Sequence, residues 1–247
     1  MTNKGLSFKQ PAHSVTSYSA GVEWKRPYRA LRSQWLSWRF PGSLLFWEQA
    51  YAGGGNSGPG CLGVLGEFKA DVLNSFVEEH SVASVVEFGC GDGNQLALAS
   101  YPNYIGLDIS PSVVKRCVAR FDDDPTKSFF LYHGDAWHDK ARIFQAELTL
   151  SLDVLYHIIE DDAYDNYLRH LFDTSNRFVV IYSVNDDRKF SEPYSRPRRF
   201  TDWVSMNQPA WRLLSVIENA YPLSDENPDG SWSDFYIFQR IDNLQGE

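Results

Sequence analysis

A short apolar run that ends in three closely spaced glycines constrains the fold of this chain more than any other feature of the sequence. The run Val85-Val-Glu-Phe88 leads into Gly89-Cys-Gly-Asp-Gly93, and residues 94–99 are predicted to begin a helix. A glycine-rich turn between a strand and a helix places a nucleotide-type ligand against the helix N-terminus, beside the carboxyl end of the strand. We therefore expect an open α/β sheet with a ligand site at one edge.

Short apolar runs alternate with segments of helical spacing from residue 82 onward. This alternation is typical of a mostly parallel sheet with helices on both faces. The last two runs flank Asn227-Pro-Asp-Gly230, a strong turn signal, and predict an antiparallel end to the sheet. The predicted fold is a three-layer α/β sandwich with a mostly parallel seven-stranded sheet whose last strand is antiparallel. The predicted strands are residues 82–88, 104–108, 129–133, 148–152, 177–182, 213–217 and 235–238, and the predicted helices include residues 62–80 and 111–121.

Length and composition limit the function classes. The 247 residues suit one main domain, which we place at residues 61–247, preceded by an arm and a cofactor or substrate cap at residues 1–60. The formal net charge of −9 argues against a dedicated nucleic-acid binder. The three cysteines form no metal-binding pattern, and no apolar run reaches the roughly 20 residues of a membrane span. We expect a cytoplasmic protein without a metal.

Acidic residues around the glycine loop indicate which ligand it holds. Glu87 lies near the end of the first predicted strand and Asp92 lies inside the loop, and both carboxylates would repel a pyrophosphate. They favour a ligand with an ammonium and a sulfonium, whose carboxylate would bind backbone N–H groups at the helix N-terminus. Asp108 ends the second predicted strand, where an acid can accept both hydroxyls of a ribose. That contact suits NAD as well as S-adenosylmethionine, so it indicates an adenosine ligand without choosing between them.

The segment after the third predicted strand, Gly134-Asp-Ala-Trp137, suits an adenine base. The Asp135 carboxylate can accept from the adenine amino group, and the Ala136 N–H can donate to a ring nitrogen. The Trp137 ring can stack on the base.

The motifs, in this order, resemble those of class I S-adenosylmethionine-dependent methyltransferases of the small-molecule type. They are Glu87-Phe-Gly-Cys-Gly-Asp-Gly93, Gly106-Leu-Asp-Ile-Ser110, Gly134-Asp-Ala136 and Ser151-Leu-Asp-Val-Leu-Tyr-His157. The resemblance implies a Rossmann-like fold with S-adenosylmethionine as cofactor, and it says little about the substrate. It also implies that the loop glycines and first acid hold the methionine end, the acid after the second strand the ribose, and the Asp-Ala pair the adenine. The residues it assigns to the cofactor are Glu87, Gly89, Gly91, Asp108, Asp135 and Ala136. Ile109, Trp137 and Ser151 complete the predicted cofactor site.

An upstream segment carries a second set of candidates. On its own, the stretch around Gly53-Gly-Gly55 is a loop between two predicted helices. Its pattern of Trp47, Tyr51 and Ser57 also resembles the segment that folds over the cofactor in small-molecule members of the class. The resemblance therefore adds these three residues to the predicted cofactor site, as a lid.

The segment after the fourth predicted strand holds the catalytic candidates Asp153 and His157, with Tyr156 as a substrate contact. Histidine titrates near neutral pH and can act as a general base. Support of the following helix is the alternative role for His157. The segment lacks the Asn/Asp-Pro-Pro-Tyr/Phe pattern of enzymes that methylate exocyclic amines of DNA bases, which argues against such a substrate.

The polar loop at residues 184–199 concentrates arginines, and arginine binds phosphate and carboxylate groups bidentately. We therefore expect Arg196, Arg198 and Arg199 to bind an anionic acceptor of the phosphorylated or saccharide type. A hydroxyl oxygen of this acceptor would receive the methyl group. The alternatives are an NAD-linked oxidoreductase and a catalytically inactive subunit with a cofactor fold. We expect a small-molecule partner, no nucleic acid and no membrane; the oligomeric state stays open.

Overall fold

The computed structural model describes residues 40–241. Most of the predicted arm and cap at residues 1–60 therefore lies outside the described residues, and its described part is residues 40–60. The described residues form a seven-stranded sheet in the order β3-β2-β1-β4-β5-β7-β6. Strand β7 is antiparallel to both of its neighbours, and the pairs among β1 to β5 are parallel. The predicted fold class is confirmed.

Helices of the described range cover both faces of this sheet. None of the helices within residues 40–241 combines the length and apolar character that crossing a membrane requires. The strands are β1 (Val85–Phe88), β2 (Tyr104–Asp108), β3 (Lys127–Leu131), β4 (Ala146–Leu152), β5 (Ser175–Ser183), β6 (Trp211–Ile217) and β7 (Asp234–Arg240), and the helices are α1 (Ser43–Ala52), α2 (Gly63–Glu79), α3 (Pro111–Arg120), α4 (Asp161–Thr174) and α5 (Phe200–Asn207).

Two apolar clusters cover opposite faces of the sheet. Neighbouring residues of β5 alternate between them, since Val180 belongs to one cluster and Val179 to the other. Helix α2 contributes Leu73 to the first cluster, and α4 contributes Leu168 to the second. Burial on both faces explains why the central strands have continuous apolar runs instead of an alternating pattern.

The prediction that a helix begins at residues 94–99 is wrong about its length. Only a single 3-10 turn forms there, over Leu96–Leu98. Pro102 follows shortly afterwards and β2 begins at Tyr104, so few residues remain for a helix. By contrast, the helix predicted from residue 111 forms as α3, with Ser110 as N-cap: its side chain accepts from the Val113 N–H.

The sheet topology fixes where a ligand can bind. The chain continues from β1 to β2 and β3 on one side, and β4 and β5 lie on the other side. The strand order therefore reverses between β1 and β4, and parallel α/β sheets bind ligands beside the carboxyl ends of strands at such a point.

Candidate active site

A cavity of about 510 Å³ lies at the carboxyl ends of β1, β2 and β4. Its size falls within the range of small-molecule binding sites. Most of the residues predicted from the sequence to bind the cofactor or the substrate or to act in catalysis line it. They are Trp47, Tyr51, Ser57, Glu87, Gly89, Gly91, Asp108, Ile109, Asp153, Tyr156 and His157.

The glycine loop has a backbone that other residues would strain. Gly89 and Gly91 adopt φ values of +80° and +57°. A side chain at Gly89 would overlap Val154, and one at Gly91 would overlap the Ser57 hydroxyl. Both glycines thus allow the upstream and downstream segments to approach the loop closely.

Asp108 is buried and joins the end of β2 to the glycine loop. One carboxylate oxygen accepts from the Gly91 N–H at 3.0 Å and the other from the Ser110 N–H at 2.9 Å. Burial raises the pKa of Asp108 to about 6. Two of roughly four acceptor positions on the carboxylate are used by these bonds, which leaves capacity for a diol.

Glu87 lies on β1 and is also buried. The Tyr104 hydroxyl donates to it at 2.6 Å. Burial raises the pKa of Glu87 to about 7, and the Tyr104 bond and the nearby charge of Lys69 lower it in part. A cationic ligand beside Glu87 would favour its ionised form at neutral pH.

The upstream segment is bonded directly to the glycine loop. The Ser57 hydroxyl donates to the Asp92 carboxylate and accepts from the Asp92 N–H, both at 3.0 Å. The Tyr51 hydroxyl lies 3.1 Å from the Ser57 hydroxyl. Tyr51 and Ser57 therefore form part of the cavity wall next to the glycine loop.

Helix α1 is held in place over the cavity at two further points. Glu48 accepts from the hydroxyls of Ser110 and Ser112 at the start of α3. Arg116 of α3 donates to the backbone carbonyls of Tyr51 and Gly55, each at 2.7 Å. These contacts fix α1 to the element that follows the ribose-binding candidate Asp108.

His157 lines the same cavity as the glycine loop, and the Trp47 ring meets its ring edge-on, with the ring centres 4.7 Å apart. Its Nδ1 atom is 3.0 Å from the carbonyl oxygen of Tyr194. A carbonyl can only accept, so Nδ1 carries the proton in the neutral ring and Nε2 carries a lone pair. Burial lowers the pKa of His157, which favours this neutral form.

Sequence reasoning missed Lys69, a buried lysine that lines the cavity. Its ammonium is 2.9 Å from the Asp153 carboxylate. The signal was present in the sequence, because position 69 lies on the core-facing side of the helix between Leu65 and Val72. A lysine at such a position is rarely buried without a partner.

The loop between β6 and β7 was also missed. It was predicted as a turn at residues 227–230, and residues 228–231 line the cavity instead of only connecting two strands. No residue type in this turn distinguishes a cavity wall from an ordinary connection.

The adenine candidates lie beside the cavity lining and α4. Asp135, Ala136 and Trp137 do not line the cavity. The 3-10 turn at Gly134–Ala136 faces α4, where Asn166 lies 3.5 Å from the exposed Asp135. Trp137 packs among aromatic rings, with the Phe144 ring at 4.9 Å.

Two neighbouring residues show where this edge of the cavity runs. Tyr132, just before the turn, lines the cavity in place of the adenine candidates. Ser151 is fully buried and supports the cavity indirectly, because it accepts from the Tyr167 hydroxyl at 2.8 Å. Tyr167 itself lines the cavity.

The three arginines predicted to bind the acceptor are paired within the protein. Arg198 donates to the carbonyl of Ile158 at 2.8 Å, Arg196 pairs with Asp161 at 2.8 Å, and Arg199 pairs with Asp187 at 3.0 Å. None of these arginines lines the cavity.

The comparisons with known proteins agree with this site. The chain matches the model of the methyltransferase domain family over residues 65–219, more than half of its length. The chain belongs to this family. Its fold is that of the class I S-adenosylmethionine-dependent methyltransferases, and membership of the family argues against the NAD-linked alternative.

The relatives differ in what they methylate. The small RNA 2′-O-methyltransferase of Arabidopsis thaliana is 32% identical over 110 residues, which are 40% of this chain and 12% of that protein. The N-methyltransferase NodS from Bradyrhizobium japonicum, solved with S-adenosyl-L-homocysteine, has a TM-score of 0.61 at 14% identity and covers 81% of this chain and 98% of its own. Magnesium protoporphyrin IX methyltransferase from Synechocystis, solved with S-adenosylmethionine, has a TM-score of 0.52 at 14% identity and covers 70% of this chain and 79% of its own. These structural likenesses show the fold alone.

Proposed function

We propose that this enzyme transfers the methyl group of S-adenosylmethionine to a hydroxyl oxygen of a small, uncharged molecule. The observation that carries the proposal is that one cavity holds two different sets of groups. Buried acids beside the glycine loop form the set that we call the cofactor end, and a neutral histidine with an Nε2 lone pair lines the same cavity and belongs to the set that we call the acceptor end. The first end suits a cationic cofactor and the second suits an acceptor that must lose a proton.

The cofactor binds along the strand ends in this proposal. Asp108 accepts from the ribose hydroxyls, Glu87 faces the ammonium, and the N–H groups of the glycine loop bind the carboxylate. Ile109 and Tyr132 flank the adenine in place of the predicted residues after β3, since both line the cavity.

Residues 40–60 close over the cofactor as a cap, and the main domain follows from residue 61. The bonds from Ser57 to Asp92 and from Glu48 to the start of α3 support this division. Trp47 and Tyr51 then exclude water from the sulfonium.

Methyl transfer from a sulfonium requires mainly that the protein align the acceptor oxygen with the methyl carbon. The acceptor oxygen forms a bond to the methyl carbon as the carbon–sulfur bond breaks, and the sulfonium becomes a neutral thioether. Alignment of the reacting atoms accounts for up to about 7–11 kcal/mol of barrier lowering in ideal cases. His157 Nε2 takes the hydroxyl proton, a contribution of about 10²–10⁴ in rate.

Charge in the cavity argues for an uncharged acceptor. Among its lining residues in the described range, one lysine, Lys69, stands against five acids. An excess of acids in the cavity disfavours the phosphorylated acceptor predicted from the arginine loop. It is compatible with a neutral saccharide or phenol that offers a hydroxyl. The five acids are Glu87, Asp92, Asp108, Asp153 and Asp229.

A labelled-methyl screen with matched acceptors tests the proposal. Calorimetry first measures binding of S-adenosylhomocysteine, expected at one ligand per chain. Neutral phenols and sugars are then compared with their phosphorylated forms, with amines of the same skeleton, and with an RNA strand ending in a free 2′-hydroxyl. We expect label on the neutral hydroxyl compounds. Label on the amines, the phosphorylated forms or the RNA in their place would contradict the proposal.

A further inference from the structure

Lys69 and Asp153 form a buried ion pair in the wall of the cavity. Lys69 is 2% exposed, and its ammonium lies 5.1 Å from the centre of the Tyr182 ring as well as 2.9 Å from Asp153. Removing two charges from water is costly, and a well-packed apolar pair is often at least as stable. Stability alone is therefore a weak reason for this pair.

The Asp153 carboxylate is held by several donors and still has one acceptor position to offer. The Ser233 hydroxyl donates to Oδ1 at 2.9 Å and the Tyr156 hydroxyl donates to the same oxygen at 3.2 Å. Lys69 donates to Oδ2. A carboxylate has about four acceptor positions, so the remaining one is on Oδ2.

The space next to Oδ2 is open because residue 60 is glycine. A Cβ atom at Gly60 would lie 3.1 Å from Oδ2 and 3.9 Å from the carboxylate carbon. Gly60 also lines the cavity, as do Lys69 and Asp153. The free position on Oδ2 can thus be reached by a bound molecule.

The backbone at Asp153 is strained. Its φ of +59° lies in the left-handed region that favours glycine. Its N–H donates to the Tyr182 carbonyl at 2.8 Å, which fixes the residue at the end of β4. Strain of this kind persists where the surrounding structure imposes it, and it is concentrated at binding and catalytic sites.

The pair offers complementary groups to one ligand atom. A lysine ammonium has three donors, and Asp153 accepts one of them. A donor on Lys69 Nζ and an acceptor on Asp153 Oδ2 therefore lie side by side. A hydroxyl can donate and accept at once, whereas an ammonium only donates and a carboxylate only accepts.

We propose that Lys69 and Asp153 form the acceptor-binding subsite, in which a second hydroxyl of the acceptor, not the one that loses its proton to His157, donates to Asp153 Oδ2 and accepts from Lys69 Nζ. Ser233 and Tyr156 act as positioning residues that hold the carboxylate in this orientation. Because the two charges cancel, the subsite selects an uncharged hydroxyl over an ammonium or an anion. This inference rests on the proposed function and names the groups that would recognise its substrate.

A pair of cofactor analogues tests the subsite without knowledge of the acceptor. Sinefungin differs from S-adenosylhomocysteine in that a carbon with a primary amine replaces the sulfur, so its extra ammonium points at the methyl-transfer position. The ratio of the two dissociation constants at pH 7.5 reports the charge that faces this position. Binding of S-adenosylhomocysteine is the internal reference, and it shows that each variant is folded.

The variants should move this ratio in opposite directions. Asp153→Asn leaves the lysine charge and should weaken sinefungin relative to S-adenosylhomocysteine about tenfold. Lys69→Met leaves the carboxylate and should strengthen it about tenfold. The double variant restores neutrality and should return the ratio to within about threefold of the wild type, since uncharged sites interact weakly with the ammonium. The matched control is Lys127→Met, which removes a lysine from an ion pair with Asp124 away from the cavity and should leave the ratio unchanged.

Each other outcome is decisive. An unchanged ratio in Asp153→Asn and in the double variant would show that the pair is only structural, and this holds even if Lys69→Met does not fold. Shifts of the same sign in both single variants would also overturn the proposal. If the wild type binds sinefungin more than about a hundredfold more tightly than S-adenosylhomocysteine, the difference exceeds the roughly tenfold effect expected of one charge. That result would show a subsite that selects cations. Failure of the wild type to bind S-adenosylhomocysteine would instead contradict the proposed function.

Discussion

The two ends of the cavity are built in different ways. At the cofactor end, Asp108 bonds to Gly91, and the two residues are separated by 17 positions in the sequence. At the acceptor end, Asp153 bonds to Lys69 and to Ser233, which are 84 and 80 positions away. One end is thus a local strand–loop–strand unit, whereas the other is assembled from a helix, a strand end and a hairpin loop. Local units can be read from a motif, and assembled ones depend on how the whole chain packs.

The largest expected effect lies at the acceptor end. His157→Ala should lower turnover on the acceptor found in the screen by about 10²-fold or more, because the proton acceptor is lost. The dissociation constant of S-adenosylhomocysteine should stay nearly unchanged. In the wild type, activity should fall on the acidic side, below the ordinary histidine pKa of about 6.5, as Nε2 becomes protonated.

The exposed His133 supplies the control for that variant, since it does not line the cavity. His133→Ala should retain full turnover. A His157→Ala enzyme that keeps the acidic limb of its pH–rate profile at saturating S-adenosylmethionine, or that loses turnover only in step with thermal stability, would assign His157 a structural role.

Asp108→Ala should have the next largest effect, on cofactor binding at the cofactor end. Loss of the ribose acceptor leaves buried hydroxyls unpaired and should weaken S-adenosylhomocysteine by about 1–3 kcal/mol in calorimetry. Asp135→Ala is the matched comparison, because the structure places this carboxylate outside the cavity. It should bind with wild-type affinity. Equal losses in the two variants would return Asp135 to the cofactor site and contradict its placement.

The difference between the two ends explains what the sequence could predict. The sheet, its antiparallel end and the residues Glu87, Gly91 and Asp108 follow from strand periodicity and from a glycine loop at a strand end. These depend on a few neighbouring residues and on the geometry of one crossover.

The sequence predicts less where packing between distant segments decides the arrangement. The turn that holds Asp135 lies beside α4, a contact that its motif does not show. Arg199 pairs with Asp187, which is close in sequence, whereas Arg196 and Arg198 pair with Asp161, at the start of a helix that folds back beside them. Lys69 carried a usable signal, a charge on an apolar helix face, but its partner Asp153 could not be chosen from the many acids in the chain.

Cofactor binding should depend on pH through the cofactor end. The pKa of Asp108 is raised to about 6 and that of Glu87 to about 7 in the unliganded protein, chiefly by burial. Both carboxylates must lose their protons to bind the ribose and the ammonium. Affinity for S-adenosylhomocysteine should therefore rise by roughly a hundredfold from pH 5.5 to pH 7.5.

Asp108→Asn should bind more weakly and show a shallower pH dependence, because one of the two titrating groups is gone. Asp124→Asn, at an exposed position away from the cavity, should keep the wild-type slope. A slope that is unchanged in Asp108→Asn would mean that this carboxylate does not titrate with binding.

Arg198→Gln should affect stability without affecting the substrate. The Arg198 guanidinium donates to two carbonyls before α4 and lies 4.2 Å from the centre of the Tyr164 ring. Loss of these bonds should lower the free energy of unfolding by about 1–3 kcal/mol in denaturant titrations. The KM of the acceptor and its salt dependence should be those of the wild type. A raised KM with unchanged stability would restore the anion-binding role predicted from the sequence.

Arg199→Gln should have the smallest effect of all. Its side chain is 60% exposed and its partner Asp187 is 71% exposed. Exposed ion pairs contribute about 0–1 kcal/mol, because water and salt screen them and two flexible side chains must be ordered. Unfolding free energy should therefore change by less than about 0.5 kcal/mol, as at most surface positions. KM and kcat should both be unchanged at low salt, where any attraction of an anionic acceptor would be strongest. A higher KM at low salt that disappears at high salt would show that Arg199 attracts the acceptor from a distance, and would make a charged substrate the better proposal.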